Sequence, residues 1–218
     1  MKTRLIILLV LASIACKAQK DTTVAADYGT HTPYERHSII ATASLGFIDD
    51  YRQSYTLPSG FEKGKISGFI PFYAKLEYGL CKHISIAATF GYDAFVNNYK
   101  QDYTGNNGPF TRNLKDNTRI FSGGITGFYH LDQQIHIKHL DPFIGVGLSL
   151  SNIRYSSYPQ GDSTVTKFDH KVTPYLKVGA RYYISSRFSI YADAGYDKQS
   201  IVSVGASCRF FSRKKTAQ

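Results

Sequence analysis

Seven ionisable side chains stand at alternate positions in stretches that are otherwise apolar or small: Lys75, Glu77, Asp93, Lys177, Arg181, Asp193 and Arg209. Each has an apolar residue on both sides. Gathered into one narrow interior, four bases and three acids would pair, because an unpaired buried charge is very costly. Two roles are open to such a cluster. It is either an ionic plug that holds a barrel shut or a narrow pore whose gate is one of these pairs.

A second group, His130, Asp132, His136, His139 and Asp141, brings imidazoles and carboxylates into a short span. Three or four such ligands can hold a zinc ion when they converge. The spacing matches no zinc motif, and the reading taken is surface histidines near an interface, with no metal and no cofactor. The sequence has no Gly-x-Ser-x-Gly elbow and no phosphate-cradling glycine loop, so catalysis is not expected. The remaining chemistry is contact. Tyr51, Tyr55, Tyr99, Tyr103, Tyr155 and Tyr158 fall in long polar stretches at about 49–65, 97–117 and 152–171, rich in Asn, Gly and Ser. Tyrosine-rich loops on a rigid scaffold make adaptable contact surfaces. Aromatics that meet lipid headgroups are the alternative.

The elements that carry these residues read as strands. From Val172 to Ile184 every even position is apolar, while the odd positions carry Lys171, Thr173, Tyr175, Lys177, Gly179, Arg181 and Tyr183. Only a strand sends alternate residues to opposite faces. The same period runs through about His37–Ile48, Ile66–Tyr78, Ile84–Tyr92, Arg119–Leu131, Ile144–Leu150, Phe188–Tyr196 and Val202–Phe210. That makes eight strands, each of the length a tilted strand needs to cross hydrocarbon, about 9–11 residues. The expected fold is an all-β, eight-stranded antiparallel transmembrane β-barrel.

Alternation also fits a soluble barrel with its apolar face inward. The membrane version is favoured by long connections alternating with short ones, at 79–82 and 185–186, which places the short turns and the termini in the periplasm. Aromatics gather at two heights on the apolar faces: Tyr78, Tyr129, Tyr182, Phe188 and Phe210 at one rim, Phe47, Phe90, Tyr92 and Tyr196 at the other. Such girdles suit the two interfaces of a bilayer. Mean hydropathy of −0.24 is no obstacle, since only every second strand residue meets lipid.

The run Gly205-Ala206-Ser207-Cys208-Arg209-Phe210 resembles the C-terminal signal by which outer-membrane barrels are recognised for assembly. Cys208 stands where that signal has an aromatic. The runs 75–80, 142–147 and 187–196 are similar to the outer membrane protein β-barrel domain family, with the small OmpA, OmpX and OmpW architectures and barrels resembling PorT. Over about 37–211 the resemblance implies an outer-membrane location, contact with outer-membrane lipid and the barrel-assembly machinery, and a surface ligand or envelope partner. It implies a non-enzymatic structural or surface-binding barrel, with a narrow channel for small or apolar solutes as the alternative. A soluble secreted ligand-binding barrel is the third reading.

Residues 1–18 read as a signal peptide: Lys2 and Arg4, then an apolar run from Leu5 to Ala15 too short to span as a helix. Residues 19–36 read as a periplasmic lead-in and 212–218 as a basic tail. The chain is formally +10, with the bases scattered and no basic helix, which argues against nucleic acid. Acylation of Cys16 is the rival to cleavage after Ala18. Cys81 and Cys208 are too few for a disulfide framework and fall on non-adjacent strand ends; Cys208 reads as a small lipid-facing residue. Intact mass of the exported protein is expected to begin at an unmodified Gln19; a diacylglyceryl mass on Cys16 would show lipidation instead.

Overall fold

The computed structural model describes residues 34–48, 52, 61–105, 108–132, 134–135, 137–158, 165–197 and 199–211. The signal peptide, Cys16, most of the lead-in, the basic tail, Tyr51, Tyr55 and His136 lie outside the described residues. So do the side chains of Tyr103 and Tyr158.

Among the described residues there are nine strands: β1 (Ile39–Phe47), β2 (Phe61–Gly68), β3 (Phe72–Gly79), β4 (Ile84–Gly105), β5 (Gly108–His130), β6 (Leu140–Tyr158), β7 (Val165–Tyr183), β8 (Phe188–Tyr196) and β9 (Val202–Phe211). All pairings are antiparallel. β3 follows β1 in the wall, each later strand joins its predecessor, and β9 returns to β1. The result is a closed barrel of eight strands, with no free edge around the ring.

The ninth element comes from a break in the strand expected over Ile66–Tyr78. β2 and β3 both lie along β4, but residues 69–71 interrupt them, ending on Pro71, which has no amide hydrogen to donate. Three residues there face only Asp93 and Ala94 on β4, so the side-chain parity flips. Ile66, expected on the same face as Ile70 and Phe72, instead pairs with Asn97 and packs inward against Phe95, Ile120 and Ile153.

The two faces of the wall are inverted relative to a soluble protein. Leu76, Ile125, Val146, Leu148, Leu150, Val172, Leu176 and Val178 are each more than half exposed, whereas Arg181, Asp93 and His130 have no exposure at all. A lipocalin-like barrel needs the opposite arrangement, so the soluble reading does not fit. The short turns after β3 and β7 share one end of the barrel with residues 34–38 and the end of β9: Leu80 and Cys81 hydrogen-bond back to Ile84 O, Ile184 to Phe188 O, and His37 N to Gly79 O. Tyr78, Tyr129, Tyr182, Phe188 and Phe210 ring that end and face outward. Cys81 and Cys208 are both free thiols.

The strands are unequal. β1, β8 and β9 have 9, 9 and 10 residues, but β4, β5, β6 and β7 have 22, 23, 19 and 19. The stretches expected as loops at 97–117 and 152–171 are therefore largely strand. β4 and β5 stay in register from Ile84↔Tyr129 to Gly105↔Gly108. Beyond the bilayer no face has to be apolar, so the alternating signal fades while the hydrogen-bond ladder continues. From Ala94 to Gly105 the hairpin adds roughly 40 Å of extended chain above the belt.

Inside the barrel, space is set by glycine opposite aromatic rings. A Cβ on Gly145 would stand 2.5 Å from the Phe128 ring. Gly145→Leu is expected to destabilise the barrel by about 1–3 kcal/mol through overpacking, read as an earlier loss of the heat-resistant folded band on a cold-loaded gel, whereas Val146→Leu on the outward face leaves that band unchanged.

Candidate functional site

The lumen collects all seven charges expected there: Lys75, Glu77, Asp93, Lys177, Arg181, Asp193 and Arg209 are buried. Alternation places them, since each sits on the inward parity of its strand. They are stacked in layers along the barrel axis.

The lowest layer joins five strands. Arg181 on β7 forms an ion pair with Glu77 on β3 and donates at 3.2 Å to Asp141 on β6. His130 on β5 sets Nδ1 2.7 Å from Asp141 Oδ1 and Nε2 3.2 Å from Glu77 Oε1. Ser85 on β4 donates to Glu77 Oε1 at 2.8 Å and lies 3.0 Å from His130 Nε2. His130, expected at the surface, is thus fully buried, as is Asp141. They occupy the last position of β5 and the second of β6, where a periodic pattern stops and its parity is hard to read. His139 and Asp132, from the same span, are half-buried in the connection between β5 and β6.

Ser85, His130 and Asp141 have the spacing of a nucleophile, base and orienting acid. The arrangement does not work as one. Ser85 gives its proton to Glu77, Arg181 holds Asp141, and all three side chains are shut away from solvent. Residues just before β1 close this end from below. Tyr34 stacks on His130 with centroids 3.7 Å apart and donates to Ile84 O, and Glu35 lies 3.4 Å from Arg209, whose guanidinium sits over Tyr183.

The middle layer is aromatic. Phe143 stacks on Tyr191 at 5.7 Å and meets Phe128 edge-on at 5.4 Å. Lys75 lies among them, 4.2 Å from the Tyr191 ring centre, 4.5 Å from Phe128 and 5.3 Å from Phe143, and donates to Tyr191 Oη at 3.0 Å. Lys75 was expected in an ion pair; among the described residues its charge is met by ring faces instead.

In the upper layer Lys177 reaches Asp193 at 3.2 Å and Asp197 at 2.6 Å. Asp193 also accepts from Tyr191 and Ser203. Asp197 belongs to the short β8–β9 turn, which folds into the barrel mouth. Its Oδ1 accepts from the amides of Gln199 and Ser200, Gln199 Oε1 accepts from Ser122, and Tyr73 donates to Ser200. Asp93, higher still, pairs at 2.8 Å with Arg52, which sits over the Phe95 ring. Between the middle and upper layers lies a cavity of about 30 Å³ reached by both Lys75 and Lys177, room for a water or two.

Among the tyrosines proposed for contact, Tyr99 and Tyr103 lie on β4 and Tyr155 and Tyr158 on β6, on strands that project beyond the belt. Tyr155 does not point outward; it packs on the Phe95–Ile120–Ile153 cluster. Burial there pushes its phenol above the usual tyrosine range. Gly205 and Phe210, the assembly-signal positions, are in β9, with Phe210 more than half exposed.

The pairs define what the lumen can do. Removing Arg181 leaves His130 as the one cationic partner shared by Glu77 and Asp141 in a dry interior. Arg181→Ala is expected to destabilise the folded barrel by about 3–5 kcal/mol in guanidinium unfolding from vesicles. Adding Glu77→Gln and Asp141→Asn should recover part of that loss, and additive losses in the triple variant would contradict the network.

No family model matches the chain and no curated protein matches it in sequence. Solved structures do match. The N-terminal β-barrel domain of Pseudomonas aeruginosa OprF is 16% identical, with 81% of this chain and 100% of that one covered at a TM-score of 0.44. Ail, the attachment invasion locus protein of Yersinia pestis, is 14% identical over 81% and 100% at 0.45. Neisserial surface protein A is 14% identical over 79% and 94% at 0.42. All three are small outer-membrane β-barrels, and the likeness is one of fold, while the closed eight-stranded ring of this chain stands on its own strand pairing.

Proposed function

We propose that this protein is a non-enzymatic anchor of the outer membrane whose barrel stays shut and whose projecting sheet is its working surface. The observation that carries this reading is the sealed lumen. Among the described residues, Tyr34 below, the Glu77–Arg181–Asp141 layer, the aromatic layer around Lys75, and Asp197, Gln199 and Ser200 at the mouth follow one another along the lumen. A barrel so filled transmits force and position better than solutes.

What remains for recognition is outside. β2 and the outer parts of β4, β5, β6 and β7 form an open sheet above the belt. β8 pairs with β7 only up to Leu176↔Tyr196. Among the described residues, nothing pairs with the stretch of β7 before Leu176 on the side away from β6. An extended segment of a partner could add there as a further strand. Assembly fits the same picture: β9 closes the ring against β1 and presents Phe210 to the outside, where barrel-assembly machinery would read it. The apolar belt and aromatic rims support the outer-membrane location.

Planar-bilayer recording of the refolded full chain is expected to show no steady steps, with insertion verified by the heat-dependent gel shift. Reproducible unitary steps would contradict the shut barrel and favour the narrow-channel reading.

A further inference from the structure

On the outward face of the wall, two arginines stand directly opposite one another. Arg119 on β5 and Arg154 on β6 are Cα partners, and both side chains are exposed. Like charges facing across a strand pair destabilise a sheet unless something answers them. No described carboxylate does so. The acids of this part of the sheet, Asp116 and Asp169, belong to the opposite face, and Asp169 is held by Lys171 at 3.2 Å.

Their height on the wall indicates what does. One step below on the same face, Phe121 is paired with Asn152 and lies 4.8 Å from the Tyr92 ring. A step further down are Leu150 and Val172, both about two-thirds exposed. Arg119 and Arg154 are therefore the first charged residues above the apolar belt and its aromatic row, at the level where lipid headgroups lie. Phe168, the cross-strand partner of Arg154, is exposed, and the Arg154 guanidinium lies over its ring at 5.7 Å, which holds the cation against the wall. Two guanidinium forks on adjacent strands can both donate to the oxygens of one phosphate.

We infer that Arg119 and Arg154 form a binding site for the phosphate of a membrane-lipid headgroup. The inference rests on the membrane reading above. A phosphomonoester lipid gives the best match, because its terminal oxygens offer acceptors to both forks. Its acyl chains would then run down over Phe121, Leu150 and Val172. The site fixes the depth of the barrel in the bilayer and so the height at which the projecting sheet stands.

The test is native mass spectrometry of the refolded full chain from mixed micelles containing phosphatidic acid, or diacylglycerol with the same chains. Phosphatidic acid is expected to stay bound and diacylglycerol not. R119Q/R154Q should lower the retained phosphatidic acid about tenfold, while K138Q, which removes an exposed cation on the opposite rim, leaves it unchanged. Equal retention by R119Q/R154Q, or an equal loss in K138Q, overturns the site. Complete displacement by millimolar inorganic phosphate shows a free-phosphate site and overturns the lipid assignment. The heat-dependent gel shift separates the two readings: a chain that never folds into micelles or vesicles sinks the membrane reading and this inference with it, whereas a folded chain indifferent to the arginines sinks this inference alone.

Discussion

A charge shut inside a ring of eight strands has to be answered by another side chain, because water does not fill so narrow a lumen. Much of this molecule follows from that constraint. Arg181 is answered by carboxylates on two other strands, and those carboxylates are answered in turn by His130 and Ser85. The layer ties β3 through β7 together at one height. It works as a clasp whose members are far apart in sequence, and it specifies register, since a slip of one residue in any of these strands would turn its polar member outward into lipid.

The closed ring also determines what lies outside it. With polar groups consumed within, the outer surface is left to Leu, Ile, Val and aromatic side chains, and only a hydrocarbon solvent makes that arrangement stable. Among the described residues, the strands that outrun the belt do so on one side of the barrel. β8, β9 and β1 end near the rim while β4 to β7 continue. The protein therefore has a short side and a tall side, and the tall side carries an open sheet with its own small apolar cluster of Phe95, Ile120 and Ile153.

The alternating segments made the eight-stranded ring legible, together with the side of the wall on which Lys75, Glu77, Asp93, Lys177, Arg181, Asp193 and Arg209 stand. Period two is strong wherever one face must be apolar. Legibility failed where that requirement lapses. His130 and Asp141 sit at strand ends, Asp197 and Gln199 in a turn, and Glu35 and Arg52 in connections with no period, so their inward positions came only with the tertiary structure. Ile66 changed face because a break at 69–71 shifts parity, and the outer parts of β4 to β7 looked like loops because above the belt their outward face no longer has to be apolar. The ring faces around Lys75 come from three different strands, a convergence that no local spacing encodes.

The inside-out distribution of side chains is the claim on which the rest depends. It is tested most directly by nuclear Overhauser contacts between detergent acyl chains and the methyl groups of the refolded protein. Contacts are predicted for Leu76, Ile125, Leu148, Leu150 and Leu176, which face outward, and none for Ala87, Thr126 and Thr173, which face the lumen. Acyl contacts at Ala87, Thr126 or Thr173, with the leucines protected, would mean that the wall is turned the other way and that the account is wrong.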